Sequence, residues 1–293
     1  MLKSFEYEKP ASLEQLRLLL TDRAGKVPRY LAGGTDLLVA MAMGKDSPEL
    51  VVDLKGLFDL QGINVCGEGR LRIGALTTIH SLEINEIVRN QATVLFEAAQ
   101  GLGSLQVRNR GTLGGNLGRG SPTADIAVSL LALDAEILTW STSGTRSIPA
   151  ASFWLGVGKT ILYPGEIITG VEIPLKQGSS SAYTKLGKRR AMEIAIASAA
   201  VVLKSDRGVI QEVRIALGGA GPTPVRARSA EAYLTGRPVL AEHIVQAGQE
   251  ATKDSNPRTS SRASREYRLS VIPVLVERAV KSALQRQEGQ GER

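Results

Sequence analysis

The chain has 293 residues, of which 43% are hydrophobic and 22% are charged, so it is long enough for one large globular domain or two ordinary ones. Its formal net charge of +7 favours an anionic ligand or an acidic partner. The positive residues are dispersed, however, and aromatic residues make up only 4% of the chain, which argues against a nucleic-acid-binding protein.

The hydropathy of the chain predicts a cytoplasmic location. The N-terminal residues Met1 to Glu6 contain no apolar core of the kind that a signal peptide carries. No apolar run approaches the length of a membrane span, so we expect none.

Reactive side chains are scarce. The chain contains one cysteine, Cys66, and two histidines, His80 and His243. It therefore forms no internal disulfide and holds neither a four-cysteine iron–sulfur cluster nor a Cys/His zinc site. We expect Cys66 to be a buried structural thiol, His80 to be structural or on the surface, and His243 to be solvated. Redox chemistry would have to come from a bound cofactor or from another subunit.

The first elements surround a glycine pair. Ser12 and Gln15 have the spacing of a capping box, which predicts a helix through Leu20. A short strand over residues 29–31 leads into the pair Gly33-Gly34, and residues 36–43 are predicted to be helical. The segments 49–54 and 70–73 follow as strands.

A second glycine pair lies about eighty residues further on. Residues 82–101 are predicted to be mostly helical, and the basic segment 107–110 leads into Gly114-Gly115. Ser121 as N-cap and Pro122 as the first helical residue are expected to open a helix over 126–133. Strands are predicted at 135–139, 167–173 and 182–186.

A small polar stretch over residues 176–181 marks the predicted domain boundary. Beyond it, the segments 195–203 and 209–217 flank a short glycine-containing loop and predict a hairpin. Three helices are expected around 227–234, 241–251 and 265–284. The pattern predicts an α+β fold: a domain of alternating elements, followed by a smaller domain with an antiparallel sheet and helices.

The two glycine pairs carry the main chemical signal. Glycine permits positive φ and close approach of another group to the backbone, and successive N–H groups in a turn or at a helix start bind anions. Two such segments would suit the two ends of a long anionic ligand such as a dinucleotide. Neither matches G-x-G-x-x-G or the Walker A pattern, so a dinucleotide site here must be built differently.

An ordered series of motifs resembles one family. The series comprises Leu31-Ala32-Gly33-Gly34-Thr35-Asp36, then Val107-Arg108-Asn109 leading to Thr112-Leu113-Gly114-Gly115-Asn116, then Ser121-Pro122 with Asp125, and later Tyr183, Lys185 and Tyr267-Arg268. It is similar over nearly the whole chain to the flavin-binding medium subunit of molybdenum hydroxylases, which include xanthine dehydrogenase and carbon monoxide dehydrogenase. The segment 258–268 looks most like the xanthine dehydrogenase types.

The resemblance implies a fold and a cofactor. Residues 1–176 would form a two-subdomain FAD-binding domain of the vanillyl-alcohol-oxidase (PCMH) type, with subdomains of about 1–55 and 56–176. Residues 181–287 would form the C-terminal domain of the carbon monoxide dehydrogenase flavoprotein. FAD would lie between the two N-terminal subdomains.

The resemblance also implies which residues bind FAD. The backbone N–H groups of the two glycine loops would hold the diphosphate, Asp125 would accept hydrogen bonds from a ribose or a loop group, and Lys185 would approach the flavin ring. The implied cofactor-binding residues are Leu31, Ala32, Gly33, Gly34, Thr35, Asp36, Leu102, Thr112, Gly114, Gly115, Asn116, Asp125, Ile168 and Lys185.

The implied function is electron transfer within an oxidoreductase. A molybdopterin-binding large subunit would oxidise the substrate, a [2Fe-2S] small subunit would pass electrons to this FAD, and NAD or another acceptor would receive them, in a dimer of heterotrimers. The alternative is a self-contained FAD-dependent oxidoreductase of the same flavin fold. That alternative needs acid–base residues arranged around its own substrate pocket, and the sequence shows no such arrangement.

Overall fold

The computed structural model describes residues 3–23, 25–189 and 192–291. The α-helices of this part of the chain are α1 (Leu13–Asp22), α2 (Leu37–Ala42), α3 (Ile79–Ile84), α4 (Glu86–Gln91), α5 (Thr93–Gln100), α6 (Leu105–Arg110), α7 (Leu113–Gly118), α8 (Asp125–Ala132), α9 (Ala150–Phe153), α10 (Arg228–Leu234), α11 (Ala241–Ala251) and α12 (Arg265–Gly291). The β-strands are β1 (Glu6–Glu8), β2 (Arg29–Leu31), β3 (Leu50–Asp53), β4 (Ile63–Cys66), β5 (Arg70–Gly74), β6 (Glu136–Ser141), β7 (Gly144–Pro149), β8 (Trp154–Gly156), β9 (Lys159–Thr160), β10 (Ile167–Pro174), β11 (Ser180–Leu186), β12 (Ala197–Asp206), β13 (Val209–Gly218) and β14 (Val225–Arg226).

A small parallel sheet of order β1-β3-β2 organises the N-terminal segment. The predicted helix start at Ser12 is confirmed, because the Ser12 hydroxyl accepts from the Gln15 N–H at 3.1 Å. The Gln15 amide oxygen accepts from the Ala11 N–H at 2.8 Å, one residue earlier than in an ordinary capping box. Leu16 on α1 packs against Leu50 and Val52 of β3. This packing fixes the end of β2, from which the first glycine loop begins.

An antiparallel sheet of order β4-β5-β10-β6-β7 forms the second part of the N-terminal domain. Helices α3, α4, α5, α7 and α8 contribute residues to the core that covers it, and every residue of α8 is buried. A helix that is buried on every side, and whose residues are apolar except for Asp125 and Ser129, belongs in the middle of a domain rather than on its surface. The hairpin of β6 and β7 includes residues 144–149, which the sequence did not indicate as a strand.

The C-terminal domain has the predicted antiparallel sheet, with strand order β11-β12-β13-β14. The hairpin between β12 and β13 is confirmed, and its turn places Arg207 (φ 47°) and Gly208 (φ 74°) in the left-handed region. Two left-handed residues are the signature of the tight turn that matches strand twist. Helices α10, α11 and α12 cover this sheet and enclose a second core.

Two local predictions are wrong. The helix α8 begins at Asp125 with Ala124 as its N-cap, because the Ser121 hydroxyl instead accepts from the Thr123 N–H at 3.3 Å and closes a turn ahead of the helix. Cys66 is exposed rather than buried, because β4 is the edge strand of its sheet and its last three residues face solvent. Among the described residues, no helix combines the length and the apolar character needed to cross a bilayer.

Hydrogen bonds and an ion pair join the two domains. Tyr183 on β11 donates its hydroxyl to Asp125 on α8 at 2.5 Å, and its backbone N–H donates to Glu97 on α5 at 2.8 Å. Arg286 on α12 forms an ion pair with Glu97. The Gly219 N–H donates to the Pro122 carbonyl at 2.8 Å. The C-terminal sheet is therefore fixed against α5, which precedes the second glycine pair, and against α8, which follows it.

The Tyr183 hydroxyl should contribute measurably to stability. Tyr183→Phe removes a buried hydrogen bond to a carboxylate, and we expect it to lower the free energy of unfolding by about 1–2 kcal/mol. Urea denaturation of the flavin-free chain, followed by far-ultraviolet circular dichroism, measures this loss. Tyr267→Phe is the matched control, because the Tyr267 side chain is 47% exposed in the same domain. Equal midpoints for the two variants would contradict the prediction.

Candidate flavin site

The first glycine loop connects β2 to α2. Gly34 adopts φ 77°, a conformation that favours glycine. Within the part of the chain that the structure describes, the backbone N–H groups of Gly33, Gly34 and Thr35 have no hydrogen-bond acceptor. These three successive N–H groups lie just before helix α2. Successive backbone N–H groups without an acceptor form the kind of site that binds an anion.

The second glycine pair forms the first turn of α7 rather than a free loop. Thr112 caps this helix, its hydroxyl accepting from the Gly115 N–H at 3.1 Å. Leu113 N–H donates to the Thr77 carbonyl at 3.0 Å, and Gly114 N–H donates to the Ala75 carbonyl at 2.8 Å. These two N–H groups hold α7 on the loop after β5, so they are not free for a ligand.

The two glycines of the second pair have different surroundings. A Cβ on Gly114 would lie 2.8 Å from the Ala75 Cβ, which is closer than packed side chains allow. A Cβ on Gly115 would meet only the Thr112 hydroxyl within 4 Å, at 3.0 Å. Gly114 therefore permits the helix to pack on the sheet, whereas Gly115 is exposed and leaves its backbone open to approach from outside.

The fold brings the two glycine segments into contact. A Cβ on Gly33 would overlap the Arg110 carbonyl oxygen and lie 2.9 Å from the Gly111 Cα. At the other end of α7, the Arg119 guanidinium lies 3.8 Å from the Asp36 carboxylate, with both side chains exposed. The first loop thus contacts the segment just before α7, and its Asp36 side chain reaches the residue that follows α7.

Asn116 supplies an unsatisfied group beside these segments. Its side-chain oxygen Oδ1 is buried and has no hydrogen-bond partner within the described residues. A buried amide without a partner calls for a ligand group or a water. As placed, the oxygen would accept from a ligand hydroxyl, and the amide rotated by 180° would instead donate to a phosphate oxygen.

Asp125 and Lys185 form a buried ion pair across the domain boundary. The Lys185 ammonium lies 3.0 Å from Asp125 Oδ2 and donates to the Gly101 carbonyl at 2.8 Å. Burial raises the pKa of Asp125, while the Lys185 charge and the Tyr183 hydroxyl oppose that rise. Burial and the Asp125 charge raise the pKa of Tyr183 well above its ordinary value, so its hydroxyl stays a donor. Both oxygens of Asp125 already accept from donors within the protein.

Leu102 and Ile168 are the apolar members of the predicted set. Leu102 follows Gly101 and is half-buried, and its carbonyl accepts from Arg108 at 3.2 Å. Ile168 on β10 is buried, with its Cδ1 atom 3.7 Å from where a Gly118 Cβ would lie. Ile168 therefore lies beneath the exposed last turn of α7.

Arg108 belongs to the motif series, but the partners that position it had no functional signal in the sequence. Its Nε atom lies 2.6 Å from the Glu83 carboxylate, which is also 2.6 Å from the His80 ring. The expected structural role of His80 agrees with this contact. Glu83 lies on α3 and gives no sequence motif, so only the fold reveals that it positions the segment around Leu102.

The residues present fit an extended anionic cofactor such as FAD. The unpaired N–H groups of the first loop suit a diphosphate, and the unsatisfied Asn116 amide suits a hydroxyl or a phosphate oxygen. The exposed backbone at Gly115 permits close approach. Among the residues that the structure describes, no three His, Cys, Asp or Glu side chains are grouped as a metal ion would require.

Comparisons with known proteins give the same assignment. The family model described as the FAD binding domain in molybdopterin dehydrogenase matches residues 3–176. The model described as the CO dehydrogenase flavoprotein C-terminal domain matches residues 182–283. Together they cover the glycine segments, the Asp125–Lys185 pair and both cores.

Individual relatives match along their whole length. The chain is 33% identical over 280 residues to the xanthine dehydrogenase FAD-binding subunit of Escherichia coli, covering 95% of each chain. It is 32% identical over 277 residues to the glyceraldehyde dehydrogenase medium chain of Sulfolobus acidocaldarius, covering 94% of this chain and 97% of that one. A solved carbon monoxide dehydrogenase from Hydrogenophaga pseudoflava, which lacks the Mo-pyranopterin moiety of its cofactor, contains a chain that superposes with a TM-score of 0.93 at 32% identity, covering 98% and 99%. The chain belongs to the family of FAD-binding medium subunits of molybdenum hydroxylases.

Proposed function

We propose that this chain carries electrons between an iron–sulfur partner subunit and a terminal acceptor, by way of bound FAD. One observation carries the proposal: the chain has a site that fits a dinucleotide cofactor but only one cysteine, and that cysteine is exposed. A chain with such a site and one cysteine can bind a flavin, but it cannot supply the ligands of a cysteine-ligated cluster. Any iron–sulfur cluster that delivers electrons to the flavin must therefore lie on a second polypeptide.

In this proposal the glycine segments hold the cofactor. The N–H groups of Gly33, Gly34 and Thr35 bind the diphosphate, and Asn116 and Thr112 contribute polar contacts beside it. Leu31, Ala32 and Asp36 shape the loop, while Leu102 and Ile168 supply apolar contact, all as the family resemblance implies. FAD, when bound, supplies the capacity to accept two electrons and release them singly or together.

Lys185 provides the positive charge near the ring in this proposal. A cation there favours added electron density on a flavin. The carboxylate of Asp125 and the Gly101 carbonyl fix the ammonium in place. We therefore assign Asp125 a positioning role through Lys185, because both of its oxygens already accept from Lys185 and Tyr183.

We further propose a heterotrimer with a molybdopterin-binding large subunit and a [2Fe-2S] small subunit, assembled as a dimer of heterotrimers. Support comes from the relatives, which are named as subunits or medium chains of dehydrogenases. Of the possible reactions, xanthine-dehydrogenase-type chemistry agrees with the segment 258–268 noted in the sequence, with NAD or another acceptor receiving the electrons. The basic net charge of +7 suits an acidic partner surface.

The cofactor itself is the first test. The purified chain should contain about one FAD per polypeptide, bound without a covalent link, because neither histidine nor the one cysteine belongs to the glycine segments. Acid precipitation followed by chromatography of the supernatant should recover free FAD. Recovery of FMN alone, or no flavin after reconstitution with FAD, would overturn the assignment of the site.

The two glycines of α7 allow a second test of the site, in which one variant should lose flavin and the other should lose stability. Gly115→Val should leave the chain folded and reduce flavin occupancy at least about tenfold, because the new side chain projects into the open approach to the backbone. Gly114→Val should instead destabilise the chain by about 1–3 kcal/mol through its clash with Ala75. Flavin absorbance per polypeptide and thermal unfolding separate the two effects.

Gly67→Val is the matched control for these variants, because a Cβ there meets nothing within 4 Å. It should keep both the flavin and the unfolding temperature of the parent chain. A folded Gly115→Val protein with parental flavin occupancy would show that α7 does not bind the cofactor.

Dependence on partners is the third test. The isolated chain should reduce dyes with NADH slowly at most, and it should not hydroxylate purines or other N-heterocycles or oxidise carbon monoxide. Those activities should appear only in preparations that contain the two proposed partner subunits. Turnover of such a substrate by the isolated chain at roughly 1 per second or faster would contradict the electron-transfer role.

A further inference from the structure

Lys55, which belongs to none of the sequence motifs, holds the first glycine loop by its backbone. The Lys55 ammonium donates to the Ala32 carbonyl at 3.2 Å. Among the described residues, no other donor of the protein reaches that carbonyl. Lys55 lies in the turn after β3, and β3 pairs in parallel with β2 so that Leu31 lies opposite Asp53. The loop after β2 and the turn after β3 therefore leave the same edge of the sheet.

Asp53 fixes the lysine in this position. The Lys55 ammonium lies 2.8 Å from Asp53 Oδ1, which also accepts from the Lys55 backbone N–H at 2.9 Å. The other oxygen, Oδ2, accepts from the Tyr7 hydroxyl at 2.6 Å. Burial alone would raise the pKa of Asp53, but the hydrogen bonds from Lys55 and Tyr7 hold that pKa below its ordinary value. The buried carboxylate is therefore an ionised anchor, and its charge-assisted hydrogen bonds keep the lysine side chain in one place.

The hydrogen bond to Ala32 decides where the next N–H group points. The Ala32 carbonyl and the Gly33 N–H belong to one trans peptide unit, in which the two groups point in opposite directions. Because the carbonyl is directed at Lys55, the Gly33 N–H is directed away from the lysine. That N–H group has no acceptor within the part of the chain that the structure describes. An anion bound by the Gly33 N–H would thus lie on the opposite side of this peptide from Lys55.

The lysine affects both the orientation and the strength of this donor. Gly33 offers little steric resistance to rotation of the peptide that precedes it, so the backbone alone does not fix the N–H direction. A charged donor at the Ala32 carbonyl fixes it, because hydrogen bonds to charged groups are stronger than neutral ones. The same charge polarises the peptide, and successive hydrogen bonds strengthen one another. The Gly33 N–H is therefore preset to donate to an anion.

We propose that Lys55 is a positioning residue for the flavin diphosphate, because it presets the Ala32–Gly33 peptide so that the Gly33 N–H faces the phosphate oxygens. Asp53 and Tyr7 support this role through the hydrogen bonds that fix the lysine. The inference rests on the proposed function, since it requires FAD at the first glycine loop. Lys55 itself makes no contact with the cofactor in this proposal, and it acts only through the peptide.

Four variants of the full chain test the proposal. Lys55→Met and Lys55→Ala remove the donor, whereas Lys55→Arg keeps a charged donor at the same position. The Lys55 side chain is 34% exposed, so these changes should leave the core intact, and the two neutral variants substitute for each other if one of them unfolds. Lys45→Met is the matched control, because Lys45 is exposed and follows the end of α2 that is farther from the glycine loop.

Two measurements are made on each variant. In the flavin-free chain, the amide nitrogen resonance of Gly33 reports the hydrogen bond at the carbonyl of the same peptide. It should move in both neutral variants and stay near the parent position in Lys55→Arg and Lys45→Met. Titration with FAD, followed by flavin fluorescence, should show a Kd raised about tenfold or more in the neutral variants, because a charged hydrogen bond is lost. Lys55→Arg should stay within about threefold of the parent, and Lys45→Met should equal it.

The two measurements separate the ways in which the proposal can fail. An unmoved Gly33 resonance in a folded neutral variant overturns it even if FAD binds more weakly, because Lys55 would then act on the phosphate directly. A moved resonance with the FAD affinity of Lys45→Met also overturns it, because the peptide would be held without serving the cofactor. A parent chain that binds no FAD would instead contradict the proposed function, and this inference would fall with it.

Discussion

The close contact between two backbone segments is the constraint on which the site depends. Gly33 lies directly against the Arg110 carbonyl, and no side chain fits between them. This contact sets the first loop beside α7 and leaves the N–H groups of Gly34 and Thr35 turned away from the protein's own acceptors. Gly114 serves the complementary purpose on the other side of α7, where it lets the helix rest on the loop after β5. Gly33 and Gly114 are thus the members of the two pairs that permit close packing.

The second domain completes this arrangement through polar contacts and through side chains that it adds to the N-terminal apolar core. The two domains have separate apolar clusters, although Tyr183 and part of β12 and β13 join the N-terminal one. Asp125 connects them most directly, because it holds the Tyr183 hydroxyl and the Lys185 ammonium at once. Such a buried carboxylate is stable only while its donors stay in place. Replacement of Tyr183 or Lys185 would thus weaken the contact between the two domains as well as change the charge balance around Asp125.

The sequence predicted the medium-subunit family correctly because an ordered series of motifs extends over nearly the whole chain. It predicted the α+β class and most of the elements correctly because their signals are local. The capping box at Ser12, the glycine-containing loop between β12 and β13 and the mostly apolar helix α8 each depend on residues close together in the chain. It failed where distant residues decide the outcome. Ser121 carries a helix-cap signal, but its hydroxyl closes a turn instead, and Cys66 is exposed because β4 has no outer neighbour. The different tasks of Gly114 and Gly115 likewise depend on Ala75, about forty residues away, which no motif reveals.

The exposed edge strand β4 has a practical consequence. Its Cys66 is the only thiol of the chain and faces solvent, so a maleimide probe attaches at one known position without any substitution. A nitroxide there would be a single reporter on the rim of the antiparallel sheet. Pulsed electron paramagnetic resonance would then measure distances from this rim to paramagnetic centres in any bound subunit, and these distances restrain the position of that subunit without any change to the native sequence.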